Sequence, residues 1–329
     1  MEFLDAATAA SRGLDVGDVY YTPEYGRSAE LIDGGIWECA VSGDGLVFPY
    51  IRREIDDTLY DILSPYGYGG VQASSPAALA AFRSEFLVTS KERGLVAEFL
   101  RAHPVDMTDE MLGAWNPDEI TRHTTFGVTI DDDVEAYFAN AEGRHRTAVR
   151  KAAKNDLYVH DAGLDSTTSS ATPFRRIYAT TMERVHASSR LMLDDEYFRR
   201  LSTLGPERLC VLEARTADGE TVAAAMFMRQ GRRVHYHLSG ATTEGQRLGA
   251  TNLLIDHAVR TLVHDNGWLH LGGGVSEEDG LFKFKRSIAN VTHSMAMCRT
   301  VVNRDFYDQL VVSAGNPRTT FFPAYRGTS

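Results

Sequence analysis

The chain has 329 residues, 43% of them hydrophobic and 24% charged, and a net charge of −11. This is the composition of a globular protein long enough for two domains. The acidity excludes a protein that coats nucleic acid irrespective of sequence, while allowing a local basic site. Cys39, Cys210 and Cys298 are scattered and show no CxxC spacing, so neither a disulfide framework nor a zinc site is expected. The N-terminal MEFLDAATAASRGLDVGD has acids where a secretory leader needs bases, and no apolar run approaches the roughly 20 residues of a membrane span. A cytoplasmic protein is expected.

In chain order, Trp37 to Val41 and Leu46 to Arg53 predict paired strands around Ser42-Gly43-Asp44-Gly45. YDILSPYGYGG, Tyr60 to Gly70, reads as an irregular loop, unusually apolar and rich in tyrosine. Pro76 to Arg93 predicts a helix with proline in its first turn, Leu95 to Arg101 a strand, and Thr124 to Ile130 a second strand rich in β-branched residues. Asp131 to Ala141, with acids at its start, and Arg144 to Asn155 predict helices, followed by a strand at Leu157 to His160 and a helix over Pro173 to Ser188. Arg208 to Ala214, Thr221 to Arg229 and Arg233 to Ser239 predict a meander turning at Asp218-Gly219 and Gly231-Arg232. A helix is expected over Ala250 to Asn266, ended by Gly267. A strand at Trp268 to Leu271, a helix near Leu281, a strand at Val291 to Val302 and a helix from Asn303 to Val312 complete the chain. The alternation predicts an α+β fold with mixed, mostly antiparallel sheets flanked by helices.

Three stretches carry chemistry. Gly272-Gly273-Gly274 follows a strand and allows a ligand close to the backbone, where successive N–H groups can form an anion nest. Lys283, Lys285 and Arg286 follow. On a helix Lys283 and Arg286 share a face and Lys285 points elsewhere. The bland alternative is a tight turn beside solvated lysines. RHRTAVRKAAK, Arg144 to Lys154, holds five bases and no acid, and Arg146, Arg150 and Lys154 fall on one helical edge, either a docking strip for a polyanion or a solvated face. TTEGQRLGA, Thr242 to Ala250, places Gln246 and Gly249 at a helix start that could hold a pyrophosphate. It is a partial match to the coenzyme A loop of N-acetyltransferases, with Thr251 where the last glycine or alanine belongs.

Taken together, SPYGYGG (Ser64 to Gly70), the R-x-x-x-R-K-A segment (Arg146 to Ala152), YHLSG (Tyr236 to Gly240), LHLGGG (Leu269 to Gly274), DGLFKFK (Asp279 to Lys285) and FFPAYR (Phe321 to Arg326) resemble the FemXAB-like acyltransferases of the GNAT superfamily. The resemblance spans most of the chain. It implies two tandem GNAT-like domains: residues 1–142 plus 303–329 on the acceptor side, with the C-terminal segment packed back, and residues 143–302 on the acyl-donor side. It implies transfer of an aminoacyl group from aminoacyl-tRNA to an amine of a peptidoglycan precursor or a small amino-bearing metabolite, with no cofactor and no metal. An acyl-coenzyme A donor is the alternative; a non-catalytic module binding a peptide or metabolite is a third possibility.

The family lysine of the FK motif matches Lys285, which could stabilise the tetrahedral oxyanion. Asp61 and His237 are candidate bases for the attacking amine. Tyr66, Tyr68, Gly272, Gly273, Gly274 and Lys283 are candidate substrate-binding residues, and Arg146, Arg150, Lys151 and Lys154 the candidate tRNA contacts. His235 and His270 read as core residues.

Overall fold

The computed structural model describes residues 1–14, 16–130, 134–264, 267–274, 279–315 and 319–327. The chain packs as two compact units, Met1–His123 with Ser294–Ser329, and Thr124–His293. The sequence had suggested divisions after residues 142 and 302. The observed ones fall inside two long strands that carry the chain from one unit to the other.

The first unit begins with β1 (Glu2–Asp5), α1 (Ala6–Arg12), α2 (Pro23–Asp33), β2 (Ile36–Val41), β3 (Val47–Glu54) and β4 (Tyr60–Leu63). It continues with α3 (Pro76–Glu92), β5 (Leu95–Arg101) and α4 (Asp109–Trp115), before β6 (Glu119–Thr129) leads into the second unit. There follow α5 (Val134–Asn140), α6 (Gly143–Lys154), β7 (Tyr158–Asp161), α7 (Pro173–Arg184), α8 (Asp195–Leu201), β8 (Leu209–Arg215), β9 (Thr221–Gln230), β10 (Arg233–Ala241), α9 (Thr243–Leu248), α10 (Ala250–Leu262), β11 (Trp268–Gly272) and α11 (Gly280–Ile288). The strand β12 (Val291–Val301) returns the chain to the first unit, which ends with α12 (Arg304–Ser313).

The strand pairing within each unit repeats one plan. In the first unit β1, β2, β3 and β4 pair antiparallel in succession, β4 pairs parallel with β5, and β5 pairs antiparallel with β12. In the second, β7, β8, β9 and β10 pair antiparallel, β10 pairs parallel with β11, and β11 pairs antiparallel with β6. Parallel neighbours require a crossover, supplied by α3 in one unit and by α9 and α10 in the other. This is the expected α+β architecture in tandem.

Several expectations change. Tyr60–Leu63 is a fully buried strand, not loop. Pro65 masked it, because four residues between β3 and β5 need no alternation when both faces are covered. The helix expected to reach Asn266 ends at Leu262, where Val263 turns to extended backbone (φ −97, ψ 113). Asp265 and Asn266 of that expectation, and Asp131 to Asp133 of the acidic helix start, lie outside the described residues. α1, α2, α4 and α8 were not anticipated. All are short apart from α2, and Thr22, Thr108 and Asp194 cap the last three through side-chain oxygens.

Each unit has its own core. In the second, the apolar face of α10 (Leu254, Ile255, Ala258 and Val259) packs on Leu212, Ala223, Ala225, Leu269 and Leu271 of the sheet. In the first, Phe48, Phe82, Phe86 and Trp115 form an aromatic cluster with Ile62 and Leu100. Arg83 lies over Trp115, donates to Glu98 at 2.6 Å, and is itself buried, as is Glu98. The C-terminal segment packs back on this unit: Phe322 stacks on Tyr307, and Tyr325 and Arg326 donate to Asp61.

Candidate active site

The parallel pair of the second unit opens into a wedge. β10 and β11 are in register only from Arg233–Trp268 to His235–His270, while β10 runs on to Ala241 paired with β9 alone. At the point of separation the β9–β10 register shifts between Tyr236 and Leu238, so His237 sits in a bulge. Bulges re-aim side chains and recur beside active sites. The corresponding pair in the first unit does not open this way. Ser64 N–H donates to Phe99 O and Gly69 N–H to Arg101 O, and Gly69 bridges Ala102, so SPYGYGG lies along β5.

The wedge holds a groove of about 290 Å³ lined by Tyr236, Ser239, Gly240 and Ala241 of β10, Gln246 of α9, Gly249, Thr251 and Asn252 around the start of α10, Thr181 and Arg184 of α7, and Leu281 and Phe284 of α11. One guanidinium and no carboxylate line it. Arg184 donates to Ala241 O at 3.0 Å, and the Tyr236 hydroxyl donates to Ser239 Oγ. Gly249 joins α9 to α10 with φ +78, and a Cβ there would lie 2.6 Å from Ala148 O, so α6 and this junction come together only over glycine. Thr251 and Asn252, in the first turn of α10, carry the positive end of the helix dipole to the groove.

The glycines and the FK lysine come together. Lys285 Nζ donates to Gly273 O at 2.8 Å. The α11 N-terminus is capped by Asp279, which accepts from Phe282 N–H, and a Cβ on Gly274 would meet that carboxylate and Phe282 Cβ at 2.8 Å. Gly274 therefore lets α11 close onto the end of β11. Leu281, Phe284 and Lys285 occupy one side of the helix, at i, i+3 and i+4. Lys283 and Arg286 are exposed on the other, so Lys283 stands away from the groove. Burial lowers the Lys285 pKa from 10.5 to about 8, against the opposing pull of Asp279. Residues 275–278, between the glycines and α11, lie outside the described residues.

The candidate bases are placed less favourably. Asp61 is fully buried in β4, and its carboxylate accepts from Arg53, Arg326 and Tyr325. That is the setting of an anchor for the C-terminal segment, since both oxygens are held by donors. His237 pairs through Nε2 with the Tyr197 hydroxyl at 2.8 Å, and burial, reinforced by His235, holds its pKa down to about 3. An imidazole so depressed is a weak proton acceptor. Tyr66 and Tyr68 belong to the first unit. The Tyr66 carbonyl accepts from Tyr25, its N–H donates to Asp33, and the Tyr68 ring meets Tyr20 and His103 edge-on.

The basic strip lies on α6, with Arg146 also tied to the preceding helix. The half-buried Arg146 donates through Nη1 to Ala139 O and Ala141 O, capping the end of α5. Arg150, Lys151 and Lys154 are exposed. His145 and Val149, on the inward face of α6, are buried. Sequence reasoning took His237 from YHLSG but missed its neighbours Tyr236 and Ser239, which line the groove. The i, i+3 pair Thr181 and Arg184 was also missed, because nothing in an isolated helix marks the strand it will cover.

Residues 142–286 match the family described as acetyltransferase (GNAT) domain. The crystal structure of FemX superposes with a TM-score of 0.70, covering 94% of this chain and 99% of that one at 14% identity. The chain has a FemX-like GNAT fold. The same fold is shared with the C-terminal domain of a putative lysylphosphatidylglycerol synthetase from Agrobacterium fabrum (TM-score 0.58, 13% identity, 93% and 97% covered). It is shared also with L-PGS from Bacillus licheniformis (TM-score 0.55, 11% identity, 87% and 90% covered). No curated relative matches in sequence. In this FemX-like fold the GNAT match coincides with the unit that carries the open wedge. No helix among the described residues is long and apolar enough to cross a membrane.

Proposed function

We propose that this chain is an N-acyltransferase that moves an aminoacyl group from aminoacyl-tRNA to an amine of a peptidoglycan precursor or a small amino-bearing metabolite. The observation that carries this reading is the wedge between β10 and β11, whose groove is lined by Leu281 and Phe284 of α11, with Lys285 of the same helix buried and bonded to Gly273. An ester carbonyl seated there would develop negative charge on attack. A buried ammonium and nearby backbone N–H groups are worth most in such a water-poor place. The second unit, which carries the groove, takes the donor; Tyr66 and Tyr68 are the candidate acceptor contacts. Arg150, Lys151 and Lys154 offer phosphate contacts on α6. No metal or resident cofactor enters the reading; the attacking amine loses its proton to solvent.

A second reading, with acyl-coenzyme A as donor, is favoured by one feature. The start of α10, with Gly249, Thr251 and Asn252, opens onto the groove beside Arg184, as a pyrophosphate would require. One assay separates the two. Purified protein is incubated with radiolabelled aminoacyl-tRNA or acyl-coenzyme A and a panel of amines, with and without RNase. The first reading expects amide product from aminoacyl-tRNA, lost on RNase treatment and in Lys285→Ala. Product only from acyl-coenzyme A, surviving RNase, establishes the second. Product from neither donor with any amine refutes both and leaves a binding module.

A further inference from the structure

Of the groove-lining side chains, four can give up a hydroxyl proton: Thr181, Tyr236, Ser239 and Thr251. Thr181 Oγ1 is occupied with the backbone of Ala241, accepting from its N–H at 3.2 Å. Tyr236 and Ser239 differ from the rest in being bonded to each other, the phenol donating to the serine oxygen. They sit on either side of the bulge at His237, where β10 leaves β11. Because Ser239 Oγ accepts from the phenol, its own proton is free to point into the groove. A hydroxyl that accepts one hydrogen bond becomes a stronger donor of the next. The opposite wall, formed by Leu281 and Phe284 of α11, supplies no proton.

We propose that Ser239 protonates the departing group of the acyl donor and that Tyr236 positions and reloads it. The proposal rests on the acyl-transfer reading above. The amine nitrogen attacks the carbonyl carbon, the C–N bond forms, and the carbonyl π pair moves onto oxygen. When the intermediate collapses, that pair restores C=O and the bond from carbon to the donor's ribose oxygen breaks. The ribose oxygen takes the Ser239 Oγ proton, and Ser239 takes the Tyr236 proton. The proton shed by the nucleophile returns through solvent to the phenolate, so the cycle exchanges an acyl group for a proton and needs no further reactant. A ribose hydroxyl is a poor leaving group as its anion, which is why a proton delivered during cleavage accelerates the step. Burial raises the Tyr236 pKa to about 12, so the phenol holds its proton between turnovers.

The test varies the leaving group. Wild type, Tyr236→Phe and Ser239→Ala are assayed with two donors bearing the same acyl group: the aminoacyl ester of a tRNA acceptor-stem minihelix, and the corresponding nitrophenyl ester, whose leaving group departs without a proton. Near-UV circular dichroism and melting temperature establish that the variants are folded. The expected result is a kcat about 10²-fold lower for both variants on the minihelix ester with KM unchanged, and a change within about 3-fold on the nitrophenyl ester. Equal losses on both donors would assign the pair a structural part, and an unchanged kcat on the minihelix ester would assign it none; either overturns the proposal. If the wild type transfers from neither donor, the acyl-transfer reading itself falls and the relay with it.

Discussion

Replacing Lys285 by methionine should remove transfer and, at neutral pH, make the protein more stable. The ammonium is buried, and the burial brings its pKa from 10.5 to about 8. That difference is a net cost of about 3 kcal/mol for keeping the buried group charged. Methionine offers Gly273 O no donor in place of Nζ, which takes back about 1.5 kcal/mol. Methionine fills a similar volume without charge, so the variant should gain about 1–2 kcal/mol at pH 7. The sign with pH follows from proton counts. Below pH 8 the lysine is charged whether the chain is folded or not, and the cost is present in full. Between pH 8 and 10.5 the unfolded chain binds more protons than the folded one, so wild-type stability rises relative to the variant and the variant's advantage disappears. Urea unfolding of both proteins at pH 7 and pH 10, followed by circular dichroism, measures the difference and cancels the titration of every other group. A methionine variant less stable at pH 7, or a difference that does not change between the two pH values, would show that the lysine is not held charged at a cost.

Three other substitutions test the framework. Glu98→Ala strands Arg83, whose guanidinium is buried against Glu98 and Trp115, and should cost about 3–5 kcal/mol in equilibrium unfolding. Gly249→Ala forces alanine to φ +78 with its Cβ 2.6 Å from Ala148 O. It should cost at least about 1–2 kcal/mol, read as a lowered melting temperature, and weaken donor binding through the displaced start of α10. Asp61→Asn should lower the melting temperature but leave kcat of the folded enzyme within about 3-fold; a 10²-fold loss of kcat would restore Asp61 as the base.

Much of the second unit was legible because its chemistry lies in contiguous segments. LHLGGG and DGLFKFK are each one strand or helix end, and the helical spacing alone separated Lys285 from Lys283 and Arg286. The meander β8–β10 announced itself by its turns, at Asp218-Gly219 and Gly231-Arg232. The groove was not legible, since it is defined by where two strands stop pairing, and pairing is a property of the partner as well as of the strand. Tyr236 and Ser239 look like ordinary strand residues until the bulge at His237 re-aims them. Arg146 looked identical to Arg150 on a helical edge, because the carbonyls it caps belong to α5, a separate element of the sequence. Asp61 was singled out for its acidity beside a tyrosine-rich loop. The residues that claim it, Tyr325 and Arg326, lie at the far end of the chain.

That last separation bears on how the protein is made. The edge of β5 waits for β12, and Asp61 waits for Arg326, so the first unit to begin leaving the ribosome is the last that can be completed. The second is continuous from Thr124 to His293 and can close while its predecessor still exposes an unpaired strand. Nascent chains stalled before β12 should therefore be the aggregation-prone species during synthesis, and protection of β5 against hydrogen exchange should appear only once the carboxy-terminal segment has emerged.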